Sequence, residues 1–226
     1  MAWFIARRAS RTYGPMSLQG MRHNDVRKLL TAHVALGRPC TDILDIGCGR
    51  GELLRSLAGG NRRLSGCDWL ESLADSRGIS YRAIDLNRTG LAGYDDIAFD
   101  VVLCSDVIEH LESPAMLLRE IARVLRPNGT AIISFPNSWN LLERVRFLFG
   151  ANFRRFRSER KSGLWGHISF FTPEVLESLC DRAGLRVEAL RGGSGTGHMA
   201  FGGSYMEVPA SLLLSYNAYA VLHRGN

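Results

Sequence analysis

The stretch Asp45-Ile46-Gly47-Cys48-Gly49-Arg50-Gly51 places a carboxylate two residues ahead of a glycine-rich turn, and the turn leads into a helical run beginning near Glu52. Glycines in this pattern let backbone come close to a nucleotide. A dinucleotide fingerprint asks for glycine at position 52, where this chain has Glu52, and a carboxylate at Asp45 would repel a pyrophosphate. The turn therefore suits a ligand with a cationic ammonium group and no phosphate, held by Asp45. Two further acids recur at predicted strand ends: Asp68, roughly twenty residues beyond the turn, where a carboxylate reaches a ribose diol, and Asp85, beside Leu86, where an adenine ring would be read and packed. Any one of them alone reads as a helix cap or a solvated strand end. Three in succession beside a glycine turn point to one ligand, because ligands of parallel sheets bind outside the carboxyl ends of the strands.

Two histidines stand where a general base could act if the chemistry calls for one: His110, just past the fourth predicted strand, and His167, at the end of a basic segment. The alternative is structural, with His110 packing the Val107–Leu111 turn and His167 tying the basic segment to the sheet. His23, His33, His198 and His223 lack ligand spacing, and no Cys/His cluster marks zinc, so no metal is expected. Ser105, Ser194 and Ser204 lie in no Gly-x-Ser-x-Gly elbow, which leaves a hydrolase triad unsupported.

The elements that must position these residues alternate short β-rich runs with helices, the pattern of a parallel sheet covered on both faces. Strands are predicted at residues 43–46, 63–67, 79–84, 99–104 and 130–135, with two more near 185–190 and 216–222. Ser113-Pro114 opens a helix whose stripe is Met116, Leu117, Ile121 and Val124, and Pro127-Asn128-Gly129 closes it. Thr172-Pro173 opens another that turns Val175, Leu176 and Leu179 inward and stops at Gly184. Leu18 to Leu36 reads as an amphipathic helix over a sheet edge or a ligand mouth. Residues 1–226 are read as one domain, with 1–40 an N-terminal helical extension. Residues 137–166 break the rhythm: seven basic residues, Arg144, Arg146, Arg154, Arg155, Arg157, Arg160 and Lys161, are interleaved with Trp and Phe. This basic insertion reads as a lid over the acceptor, a membrane-surface segment or a nucleic-acid patch. The last is disfavoured, since Cys104-Ser105-Asp106 replaces the Asp/Asn-Pro-Pro-aromatic signature of base-amino methylation. The Gly-rich run 192–203 reads as a connecting loop, with a phosphate nest as the alternative.

At 226 residues, with 46% hydrophobic and 22% charged residues, the chain excludes disorder, collagen and repeat arrays. No apolar run approaches the roughly 18 to 20 residues of a membrane-spanning helix. Lys+Arg 28 against Asp+Glu 22 gives a net charge of +6, compatible with an acidic or membrane-associated partner without requiring one. Five cysteines without a CxxC pair point to a reducing, cytoplasmic setting. The segment 1–12 faintly resembles an organelle transit peptide, or else is a frayed terminus.

Over residues 41–190 the chain resembles the class I S-adenosylmethionine-dependent methyltransferase family. The residues that carry this are Ile43 to Gly51, Gly66-Cys67-Asp68, Ala83 to Leu86, Phe99 to Leu111 (FDVVLCSDVIEHL), Leu125 to Gly129, and Gly166 to Thr172. The resemblance implies a Rossmann-like α/β fold: a seven-stranded, mostly parallel sheet with the last strand antiparallel, helices on both faces and a helical insertion after strand 5. It implies S-adenosylmethionine contacts at Asp45, Gly47, Cys48, Gly49, Asp68, Trp69, Asp85, Leu86, Ser105 and Asp106, with His110 toward the donor methyl and His167 toward the acceptor. Phe135-Pro136-Asn137, the basic insertion and His-x-x-Phe-Phe-Thr look most like bacterial methyltransferases of surface-polysaccharide and lipid-linked glycan assembly, and are similar to methionine-biosynthesis W proteins. The expectation is O-methylation of a sugar, glycolipid precursor or other small hydroxylated acceptor. The alternatives are N- or C-methylation of a small molecule or natural product, and a non-catalytic cofactor-binding partner. A nicotinamide-dependent oxidoreductase is argued against by Glu52 and Asp45. Oligomeric state stays open.

Overall fold

The computed structural model describes residues 18–73, 75–150, 166–193 and 211–225. In chain order these form α1 (Leu18–Ala35), β1 (Asp42–Ile46), α2 (Glu52–Ser56), β2 (Arg63–Asp68), β3 (Ile79–Ala83), α3 (Leu86–Thr89) and β4 (Phe99–Ser105). A 3-10 turn at Ile108–His110 follows, then α4 (Pro114–Val124), β5 (Leu125–Pro136), α5 (Leu141–Leu148), α6 (Pro173–Arg182), β6 (Leu185–Gly192) and β7 (Asn217–Arg224).

The seven strands form one sheet in the order β3-β2-β1-β4-β5-β7-β6. Neighbours from β3 through β5 pair in parallel, and β7 runs antiparallel to both β5 and β6. The order reverses between β1 and β4, where their carboxyl ends open a crevice. All five residues of β1 are buried, as a parallel strand covered on both faces must be. Alternation along it divides the core: Leu44 and Ile46 pack with Leu117, Leu118 and Ile121 of α4, while Ile43 packs with Leu53 and Leu54 of α2 and with Val26 and Leu30 of α1. Burying each such side chain stabilises the fold by roughly 1.5–3 kcal/mol.

Local chemistry accounts for the helix starts. Ser113 and Thr172 accept from the amides of Met116 and Val175, and proline occupies the first turn of both α4 and α6. α4 ends at Val124, ahead of the expected Pro127-Asn128-Gly129, because Leu125 already has extended backbone and enters β5 opposite Phe99. Val175 is exposed, contrary to expectation. The inward face of α6 is Leu176 and Cys180, one helical turn apart, with Leu179 half-buried. α1 also departs from an apolar stripe: its buried face is Asp25, Val26, Leu30 and His33, half of it polar.

The start of the basic insertion is pinned to the chain ahead of β7. Asn137 donates through Nδ2 to the carbonyls of Leu212 (2.6 Å) and Ser215 (2.8 Å), and Leu141 N donates to Leu213 O (2.8 Å). Asn140 donates to Asn137 O and caps α5 by accepting from Glu143 N. Residues 151–165, which hold the remaining basic residues of the insertion, lie outside the described residues, as do residues 1–17 and most of the 192–203 run. Among the described residues no helix is long and apolar enough to cross a membrane.

Candidate active site

The glycine turn after β1 is clamped to the end of β2, with the amides of Gly47 and Cys48 both donating to Cys67 O, at 2.8 and 3.0 Å. Gly47 has φ +69°, and a Cβ there would overlap the side chain of Val107, so only glycine fits the turn. Asp68 closes the other side. Its Oδ2 accepts from Gly49 N (2.8 Å) and its Oδ1 from Leu70 N (3.3 Å).

Two pockets share Gly47, Ser105 and Asp106 as lining. The smaller, about 110 Å3, is bounded by Asp45, Cys48 and Gly49 and roofed by Arg22 and His23 of α1. The larger, about 380 Å3, runs past Asp68, Trp69, Asp85 and Leu86 to His110. All ten residues expected around a ligand therefore line one pocket or the other, along with His110. Trp69 stands 57% exposed at the rim. Asp85 also caps α3, accepting from Asn87 N at 3.1 Å, so the helix-cap reading holds alongside its place in the wall.

Burial governs the electrostatics. Asp45 is pushed up to about 8, first by loss of water and then by the charge of Asp68. Burial also raises Asp68, against the amides that bond it, and lifts the Cys67 thiol to about 12. His23 is held below the ordinary imidazole value, by burial first and then by Arg27 and Arg22. Burial thus favours the protonated form of Asp45, and a cation beside it would favour the ionised one.

Asp106, with φ +53°, turns the chain sharply after β4; its amide donates to Ser134 O (3.0 Å) and its carboxylate pairs with Arg22. Beyond it, His110 and His167 meet edge to face with ring centroids 4.7 Å apart. Glu109, its side chain 1% exposed, places Oε1 3.9 Å from the Nε2 of each. One polar atom of each of the three lies within 4.8 Å of the others. Sequence spacing gave no sign of such a group, because His167 lies 57 residues beyond His110.

The sequence reading gave no role to Arg22 or Glu109, set His23 aside for want of ligand spacing, and named Val107 only as part of a turn. Glu109 had a local signal in its adjacency to His110. Arg22 and His23 had none beyond the expectation that their helix covers a ligand mouth, and Val107 emerges only through the turn it packs against.

Residues 18–190 match the family described as "Methyltransferase domain". The ubiquinone biosynthesis O-methyltransferase of Aeromonas salmonicida (strain A449) is 32% identical over 157 residues, spanning 66% of this chain and 65% of that protein. Among solved structures, the methyltransferase of Haloferax volcanii in complex with its Trm112 activator aligns with TM-score 0.60 at 20% identity, over 100% of this chain and 97% of that one. The 1,6-didemethyltoxoflavin-N1-methyltransferase of Burkholderia thailandensis, solved with S-adenosylhomocysteine, aligns with TM-score 0.54 at 16% identity, over 96% and 93% of the two chains. At these identities the two structures establish the shared fold.

Proposed function

The chain belongs to the methyltransferase-domain family of S-adenosylmethionine-dependent enzymes, and from that premise we propose that it methylates the oxygen of a hydroxylated acceptor. The observation that carries the oxygen reading is the imidazole pair His110–His167 beside the larger pocket. A hydroxyl must lose a proton as it is methylated, and an imidazole titrates in the range where it can accept one.

The pocket fits the cofactor. Ser105 Oγ, which lines both pockets, is buried without a hydrogen-bond partner among the described residues. Asp45 would hold the amino group, Arg22 the carboxylate, Asp68 the ribose hydroxyls, and Asp85 with Leu86 the adenine end. Bound there, the cofactor supplies a methyl group on positively charged sulfur. The chain's own task is alignment at near-attack distance and exclusion of water, which α1 serves by roofing the smaller pocket.

Two features support an acceptor carried on a lipid. Helix α5 turns Leu141, Leu142 and Leu148 outward with Arg144 and Arg146 between them, and Phe149 just beyond is 85% exposed. Further arginines follow in the sequence at 154, 155, 157 and 160. The acceptor class proposed is a hydroxyl on a lipid-borne head group, sugar or phenol; a relative named as a ubiquinone biosynthesis O-methyltransferase supports transfer to oxygen. The five cysteines, all free thiols, fit a reducing cytoplasmic setting.

The test is incubation with methyl-labelled S-adenosylmethionine and fractionated extract of the source cells. Label in the lipid fraction that hydriodic acid releases as methyl iodide is the expected result, since that reagent cleaves O-methyl ethers. Label that resists it means nitrogen or carbon methylation and sinks the oxygen reading.

A further inference from the structure

We infer that Glu109 is a positioning residue that binds His110 and His167 into one proton-accepting unit. The inference rests on the oxygen-methylation reading for its chemical purpose, and on geometry for its substance.

His110 Nδ1 lies 3.3 Å from Gly166 O. A carbonyl oxygen only accepts, so Nδ1 carries the hydrogen, and in the neutral ring Nε2 presents its lone pair. That lone pair lies 3.9 Å from the Glu109 carboxylate. Two electron-rich groups at this separation repel until a proton arrives at Nε2, after which they attract. His167 Nε2 stands at the same 3.9 Å from the same oxygen, and the two rings touch. One carboxylate thus faces both rings and favours a proton on either.

The backbone fixes the arrangement. Glu109 O accepts from Ile168 N (2.9 Å) and Ser169 N (3.1 Å), so the residue whose side chain faces both rings also holds the strand of chain that delivers His167. Two further titratable groups lie on the adjoining chain, and the Glu109 charge acts on the first of them. Cys104 of β4 is buried with its thiol pushed well up, and Asp106 is paired with Arg22.

In the transfer step the acceptor oxygen forms its bond to the methyl carbon as the carbon–sulfur bond breaks, leaving that electron pair on sulfur as a thioether. The acceptor's proton passes to an imidazole Nε2, the resulting imidazolium is stabilised by Glu109, and the proton then leaves to water. No oxidant or further reactant enters the balance.

The experiment is an NMR titration of the His110 and His167 ring signals in the full chain without acceptor, comparing wild type with Glu109→Gln. The substitution keeps the backbone carbonyl and the shape of the side chain. Removing the carboxylate should lower the proton affinity of the pair by roughly tenfold, one unit in the titration midpoint. His167→Ala should shift the His110 midpoint as well. Where Glu109→Gln fails to fold, Glu109→Asp carries the same comparison with a retracted charge. Unchanged midpoints in the folded variant overturn the inference. So does a wild-type titration that moves on treatment with a chelator, which would assign the trio to a metal ion. Shifted midpoints in a protein that labels no hydroxyl would retain the coupled unit and reject only the oxygen-methylation reading.

Discussion

At the scale of single residues the pocket is built around carboxylates denied water. Asp45 is raised to about 8 by burial, well above the roughly 4 of an unfolded-state aspartate. Between those two values the folded protein binds an extra proton relative to the unfolded chain, so this group's contribution to stability falls as pH rises through that window. Asp45→Asn removes the slope. Its melting temperature should match wild type near pH 4 and exceed it by several degrees near pH 8, while affinity for S-adenosylmethionine drops by about tenfold or more. In the wild type, affinity should climb as pH rises toward 8, because binding an ammonium group expels the Asp45 proton. Calorimetry across pH checks both, and parallel melting profiles for the two proteins would refute the burial argument. Gly47 offers a steric counterpart. Gly47→Ala should weaken cofactor binding by about tenfold or more, through overlap with Val107 and through strain at φ +69°. Adding Val107→Ala relieves the overlap but not the strain, so recovery should be partial.

Elements show how position was bought by local signals and spent at a distance. α5 begins where Asn140 caps it and stands where Asn137 anchors it, yet its outward residues make little of the core. Leu148→Glu with Phe149→Glu should leave the melting temperature within a degree or so, because the two side chains are 81% and 85% exposed. The same pair should cut co-sedimentation with anionic lipid vesicles by about fivefold or more. Vesicle binding that survives the double change would remove α5 from the lipid contact. α1 presents the opposite case. Its buried face is half polar, and its hold on the sheet includes the Arg22–Asp106 pair at the pocket, so the helix that covers the site is attached partly through the site.

For the whole molecule, the end of the sheet opposite the pocket is held by charge. Arg126, at the start of β5, pairs with Asp42 of β1 (2.7 Å) and Asp100 of β4 (2.8 Å), and Arg63 of β2 also pairs with Asp42. Asp42 lies below the usual carboxylate range, with the Arg63 hydrogen bond the first cause. Asp100 is also lowered; burial opposes the shift, and the amides of Asp42 and Thr41 with Arg126 outweigh it. Groups depressed in this way stabilise the fold above about pH 4 and lose that contribution as pH falls through their folded values. Arg126→Met should therefore lower stability at neutral pH and move the acid-unfolding midpoint upward. An unchanged acid limb in circular dichroism would show that the network contributes little.

The sequence by itself determined the alternation of strands and helices, the glycine turn and the acids that follow it, because each depends on neighbours within a few residues: a cap, a missing Cβ, a period of two or 3.6. It also placed His110 and His167 as separate candidates. Their meeting, the buried Glu109 between them, and the roof of Arg22 and His23 over Asp45 were decided only by the tertiary structure. These contacts join residues tens of positions apart, and burial, with the charges and hydrogen bonds it brings together, gave ordinary carboxylates altered proton affinity. No local pattern encodes a distance of that kind, since it is set by how the sheet orders its strands and by which loops its carboxyl edge brings together.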